Sequence, residues 1–129
     1  MTALRVLIVD DNALNVTLAQ TVLESDGIDV ASASQATEAL EAIPQFRPSL
    51  ILMDIQLPGM DGLALTRLLK ADPATRDIVV VAFTAFAMRG DEFRMREAGC
   101  DGYISKPIDV HRLAAQVRAA WAASRQGPG

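Results

Sequence analysis

Ser49-Leu50-Ile51-Leu52-Met53-Asp54 is an apolar run that stops on an acid and leads into the turn cluster Pro58-Gly59-Met60-Asp61-Gly62. A strand buried on both faces reads this way, because successive side chains alternate between faces and a parallel sheet covers both. Toward the N-terminus, Leu4-Arg5-Val6-Leu7-Ile8-Val9 repeats the pattern and ends on Asp10-Asp11. Toward the C-terminus, Ile78-Val79-Val80-Val81-Ala82-Phe83 is the most strand-like stretch of the chain, and it stops at Thr84. Gly102-Tyr103-Ile104-Ser105 is a short last strand before Lys106-Pro107, and Ile28 to Ala33 is a weaker one that suits an edge.

Helical periods fill the intervals. Ala13 to Asp26 carries Leu18, Ala19, Val22 and Leu23 as an apolar stripe, with Gly27 as the C-terminal stop. Ser34 is the expected N-cap of a helix through Ala36, Ala39, Leu40 and Ile43, ended by Pro44 and Pro48. Leu63, Leu65, Leu68 and Leu69 mark a third helix, Ala87 to Ala98 a fourth stopped by Gly99, and Asp109 through Leu113, Val117 and Trp121 a fifth. Strands alternating with helices predict an α/β fold, a parallel sheet joined by right-handed crossovers with helices on both faces. One domain is expected over 1–123, with 124–129 as a flexible tail.

Composition narrows the function. The 129 residues are 50% apolar and 22% charged, enough for a buried core and unlike a disordered chain. A single Cys excludes a disulfide framework and a multi-cysteine zinc site. The net charge of −4 argues against nonspecific nucleic-acid binding, which needs a basic stripe. The first apolar stretch ends at Asp10, too soon for a signal-peptide core or a membrane span, so a cytoplasmic protein with no membrane partner is expected. With one domain filling the chain, output is expected from the surface of that domain.

In parallel α/β sheets functional groups gather outside the carboxyl ends of the strands. Here those ends carry Asp10, Asp11, Asp54 and Thr84, with Lys106 just past the last. Taken singly, a strand-end Asp is often only a helix N-cap, and a Thr or a loop Lys says little. Together they form a carboxylate cluster that repels itself unless a cation joins it. Oxygen-only ligands suit a magnesium-sized ion rather than zinc. A cation, an ammonium and a hydroxyl are also the groups that stabilise a phosphoryl group in transfer.

Asp10-Asp11-Asn12, Leu52-Met53-Asp54-Ile55-Gln56-Leu57-Pro58-Gly59-Met60-Asp61-Gly62, Thr84-Ala85 and Gly99-Cys100-Asp101-Gly102-Tyr103-Ile104-Ser105-Lys106-Pro107 occur in this order, each beside a strand end. Over Leu4 to about Ala123 this pattern resembles the response-regulator receiver domain of two-component signalling, in particular its stand-alone cell-division-type and chemotaxis-type members and the receiver modules of hybrid histidine kinases. The resemblance implies a flavodoxin-like, doubly wound five-stranded sheet of order 2-1-3-4-5. It implies that Asp54 accepts a phosphoryl group from a phosphohistidine, and that Mg²⁺ is held by Asp11, Asp54 and the backbone carbonyl of Gln56, with Asp10 acting through water. Lys106 would pair with the phosphoryl oxygens, aimed inward by a cis Lys106-Pro107 peptide, and Thr84 would hydrogen-bond one of them. Thr84 and Tyr103 would form the switch, changing the face of the fourth helix, last strand and last helix. Phe86 would stand where water approaches the phosphate and slow its hydrolysis.

The implied partners are a histidine kinase or histidine phosphotransfer protein and a downstream protein target. Leu14 and Val16 lie off the stripe of the first helix and, with Asn15, are the expected docking residues for the phosphohistidine bundle. The expected activity is self-catalysed phosphorylation and dephosphorylation of a signalling protein rather than turnover of a separate substrate. Two alternatives stand beside it: a phosphoryl shuttle in a relay, and an Asp-nucleophile phosphatase of the haloacid-dehalogenase type. The phosphatase motif places its nucleophile in an Asp-x-Asp after the first strand, where this chain has adjacent Asp10-Asp11. His111 and Cys100 read as a solvated and a packing residue.

Overall fold

The computed structural model describes residues 4–85 and 89–125, with backbone alone at 89–91 and 125. Its elements are β1 (Arg5–Val9), α1 (Ala13–Ser25), β2 (Asp29–Ala33), α2 (Ala36–Phe46), β3 (Leu50–Asp54), α3 (Gly62–Ala71), β4 (Val79–Thr84), α4 (Arg89–Ala98), β5 (Gly102–Ser105) and α5 (Leu113–Arg125). The strands pair in parallel in the order β2-β1-β3-β4-β5, the doubly wound arrangement expected from the sequence.

Strand composition explains that order. β3 and β4 are buried at every position, whereas β2 and β5 are partly exposed and form the edges. Alternation along the central strands feeds two apolar layers. Leu7, Val9, Ile51, Met53, Val80 and Ala82 face α2, α3 and α4, contacting Ala39, Ile43, Leu65, Leu69 and Met95. Val6, Ile8, Leu50, Leu52, Val81, Phe83 and Ile104 face α1 and α5, contacting Ala19, Leu23, Leu113 and Val117. Asp10 and Asp54 continue the second series beyond the last apolar side chains, so the period of two sends both to one side of the rim.

Several local expectations are corrected. The N-cap of α2 is Gln35, not Ser34; Glu38 accepts the Ser34 backbone N–H at 2.7 Å instead. Pro44 does not end α2, because its fixed φ suits a helix and the Arg47 N–H still reaches the Ile43 carbonyl. The helix stops where Arg47 turns left-handed at φ 54°. Asp109 opens a turn rather than the helix, and α5 starts at Leu113 and continues through Arg125, past the expected start of the tail. On α1 the buried line is Ala19 and Leu23 flanked by Val16 and Val22, while Leu18 is exposed. Among the described residues no helix is long and apolar enough to cross a membrane.

Candidate functional site

The rim beyond β1, β3 and β4 brings the predicted polar residues together. Asp10 and Asp54 are buried, 1% and 6% exposed, and Asp11 beside them is open to solvent. One carboxylate oxygen from each of the three lies within 4.8 Å of the others. Lys106 Nζ stands 3.0 Å from Asp10 Oδ2 and 3.5 Å from Asp54 Oδ2. The peptide between Lys106 and Pro107 is cis, as the resemblance implied.

Backbone donors fix the two buried carboxylates. The Asn12 N–H donates to Asp10 Oδ1 at 2.9 Å, and the Gln56 N–H donates to Asp54 Oδ1 at 3.0 Å. Asn12 also caps α1 by accepting the Asn15 N–H, so the strand-to-helix turn and the orientation of Asp10 are set by the same three residues. Burial pushes the Asp54 carboxyl up from 3.8 to about 6, and the neighbouring Asp10 charge adds to the rise; the Gln56 N–H and the Lys106 ammonium oppose it. Buried Asp10 Oδ2 makes no directional hydrogen bond, although the ammonium is at ion-pair distance. That underserved buried oxygen, aimed into a cluster of three acids against one ammonium, fits a divalent cation with oxygen ligands.

Two contributors were not apparent from sequence. Gly62, read only as part of a turn, packs directly behind the site: a Cβ there would overlap the Asp54 carbonyl oxygen and stand 2.9 Å from its carbonyl carbon. Its N–H donates to the Ile55 carbonyl at 2.8 Å, fastening the start of α3 to the loop that follows Asp54. Phe83 is fully buried, and the Lys106 ammonium lies 5.0 Å from its ring centroid. The available signals were a glycine where α3 must touch β3 and an aromatic in a run of small aliphatics.

Thr84 is buried at the end of β4, and Tyr103 on the edge strand is 42% exposed. Phe93 on α4 and Val110 after β5 are further exposed apolar residues of the C-terminal third. Phe86 lies outside the described residues. Leu14 is 76% exposed on α1, and Asn15 is half-buried. Val16 packs on the core layer beneath α1, so its expected exposure is corrected; Leu18, one turn on from Leu14, is the second exposed apolar residue of that surface. His111 is exposed, and burial raises the Cys100 thiol to about 11, as befits a packing residue.

A five-stranded 2-1-3-4-5 sheet with acids at the β1 and β3 ends and a lysine past β5 defines the class of CheY-like receivers. The chain is similar to the chemotaxis response regulator CheY4 of Vibrio cholerae (TM-score 0.86, 21% identity, 92% of this chain and 99% of that one), a likeness of fold. It is also similar to the receiver domain of a sensor histidine kinase from Pseudomonas aeruginosa, whose crystal structure has a magnesium ion in the active site cleft (TM-score 0.83, 30% identity, 95% and 100% covered). In sequence it is 50% identical over 108 residues to the polar-differentiation response regulator DivK of Brucella anthropi, covering 84% of this chain and 88% of that protein. The response regulator receiver domain family matches residues 6–118, and the chain belongs to it. Phosphorylation on an Asp, with Mg²⁺ in an acidic pocket and a histidine kinase or phosphotransfer protein as donor, is the general function of that family.

Proposed function

We propose that Asp54 is the phosphoacceptor of this receiver and that Asp10, Asp11, Asp54 and the Gln56 carbonyl hold its Mg²⁺, Asp10 through water. The observation that carries this reading is the convergence of three carboxylates and Lys106 at one rim, with a buried Asp10 oxygen lacking a directional partner. The chemistry such a cation supplies is neutralisation of the carboxylates and of the phosphoryl oxygens in transfer. With Oδ1 held by the Gln56 N–H, Asp54 presents Oδ2 toward the donor. The Oδ2–P bond forms as the P–N bond to the donor imidazole breaks, and the electron pair stays on that nitrogen. Lys106, 3.5 Å from Oδ2, pairs with the phosphoryl oxygens as they arrive. Partial burial of that ammonium strengthens the contact relative to water.

The acyl phosphate then draws on the Thr84 hydroxyl, and Tyr103 turns inward from its exposed position. This is a shift between two packings of one fold, read by a protein partner on the face of α4, β5 and α5, where Tyr103 is exposed. Leu14 on α1 meets the bundle that delivers the phosphoryl group. The test is incubation with Mg²⁺ and acetyl phosphate, read by intact mass. A metal-dependent phosphoryl adduct is expected in wild type and not in Asp54→Asn; its absence in wild type, or its persistence in the variant, overturns the assignment.

A further inference from the structure

Lys106 is rooted just past β5, the edge strand, yet its ammonium lies against Asp54 on β3. Neighbouring strands are ~4.8 Å apart, so the side chain has to cross the full width of β4 to get there. The register fixes what it crosses: Asp54 pairs with Phe83, and Phe83 pairs with Ile104. In a parallel sheet, in-register neighbours point to the same face, which sets Asp54, Phe83 and Ile104 in one row with Lys106 two positions beyond Ile104. The result is visible in the distances: Nζ stands 5.0 Å from the Phe83 ring centroid, 3.5 Å from Asp54 Oδ2 and 3.0 Å from Asp10 Oδ2.

We propose that Phe83 is a positioning residue for Lys106: its ring face seats the ammonium and keeps it within reach of Asp54 as well as Asp10. The claim rests on the reading of Lys106 as the partner of the phosphoryl oxygens. The Lys106 side chain is 15% exposed, and two carboxylates occupy only part of the surroundings of its ammonium. The negative face of a buried aromatic supplies attraction on another side without competing for the carboxylate oxygens, and such contacts strengthen when desolvated. An aliphatic residue at this position would fill the layer over β4 but would offer the cation no quadrupole. It would leave Asp10, the nearer acid, with a larger share of the lysine.

The test replaces Phe83 by mono-, di- and trifluorophenylalanine, which drain the ring face of negative potential at nearly constant shape. Two readouts are taken on each protein: the NMR shifts of the Lys106 ε-methylene and ammonium without phosphodonor, and the rate of Mg²⁺-dependent labelling by acetyl phosphate. The lysine shifts are expected to move in step with fluorination, and the rate to fall stepwise by about three- to thirtyfold in total. Phe83→Leu, which keeps an apolar side chain, is expected to match the trifluoro protein. Lysine shifts and rates that ignore the series overturn the proposal. A wild-type protein that gains no phosphoryl group on Asp54 overturns the functional reading instead, while the lysine shifts still report on the ring contact.

Discussion

Replacing Asp54 by Asn is predicted to stabilise the metal-free protein, although it destroys the proposed phosphoacceptor. Burial and the Asp10 charge raise the Asp54 carboxyl from 3.8 to about 6, a rise that is already net of the Lys106 attraction and the Gln56 N–H. The folded state therefore binds the Asp54 proton more tightly than the unfolded state does. Between about pH 4 and pH 6 the folded chain carries more protons, so stability falls as pH increases through that window and the whole penalty is present above it. A displacement of this size corresponds to roughly 3 kcal/mol, or about 10 °C in Tm for a domain of this length. Asn keeps an Oδ1 acceptor for the Gln56 N–H and leaves Lys106 its contact with Asp10 at 3.0 Å. Urea and thermal unfolding of both proteins in a chelator, from pH 4 to pH 7.5, measure the effect. The variant should be the more stable by about 3 kcal/mol at pH 7.5, with the gap closing toward pH 4. A variant no more stable than wild type at pH 7.5, or a gap independent of pH, refutes the reasoning.

Gly62→Ala should cost about 1–3 kcal/mol of stability, because its methyl would overlap the Asp54 carbonyl and force α3 away from the site. Mg²⁺ titration followed by fluorescence or calorimetry should show weaker binding in the same variant, and wild-type values in both assays would remove Gly62 from the site. Leu14→Glu changes a residue 76% exposed and should leave Tm and acetyl phosphate labelling unaltered, while slowing transfer from a phosphohistidine protein by about tenfold. Equal loss with both donors would mean damage to the site rather than to docking. With its thiol raised to about 11 by burial, Cys100 should be about one part in a thousand thiolate at pH 8 and alkylate at least about a hundredfold more slowly than in guanidinium. Alkylation that proceeds at the same rate in the folded and unfolded protein would contradict the burial of that side chain.

The strand ends were legible because a parallel sheet imposes a strong rule on sequence: both faces are covered, so β1, β3 and β4 read as apolar runs and any polar residue at their ends stands out. Asp10, Asp11, Asp54 and Thr84 were singled out on that basis, and Lys106 as the residue just past the short last strand. Helix margins were less legible. On α1 the expected stripe holds at Ala19, Val22 and Leu23 but not at Leu18, which is exposed, while Val16, expected off the stripe, packs on the core. Periodicity alone cannot rank Val16 against Leu18, since each lies three or four residues from a member of the buried line or its flank. The α2 start was misplaced by one residue: a Ser ahead of a helical period reads as the cap, whereas Gln35 takes that position and Glu38 accepts the Ser34 N–H. Gly62 and Phe83 were invisible for a different reason: their roles depend on which residues the register and the α3 packing bring opposite them.

The rim stores a conflict that its ligands resolve. Two buried carboxylates share one ammonium, and the penalty on Asp54 is roughly 3 kcal/mol in the absence of a cation. A ligand that binds only the folded state at about a hundred times its Kd returns about 2.7 kcal/mol. The two quantities are of the same size, so saturating Mg²⁺ should bring wild type close to the stability of the metal-free Asn variant, while adding less to that variant, whose position 54 carries no charge. The repulsion that makes this rim costly when empty favours a cation there, and on the proposed reading phosphorylation would act on a site whose charge that cation has already balanced. Lys106 alone cannot provide that balance, because it is a single charge reaching from the far edge of the sheet across Phe83 to two acids at once.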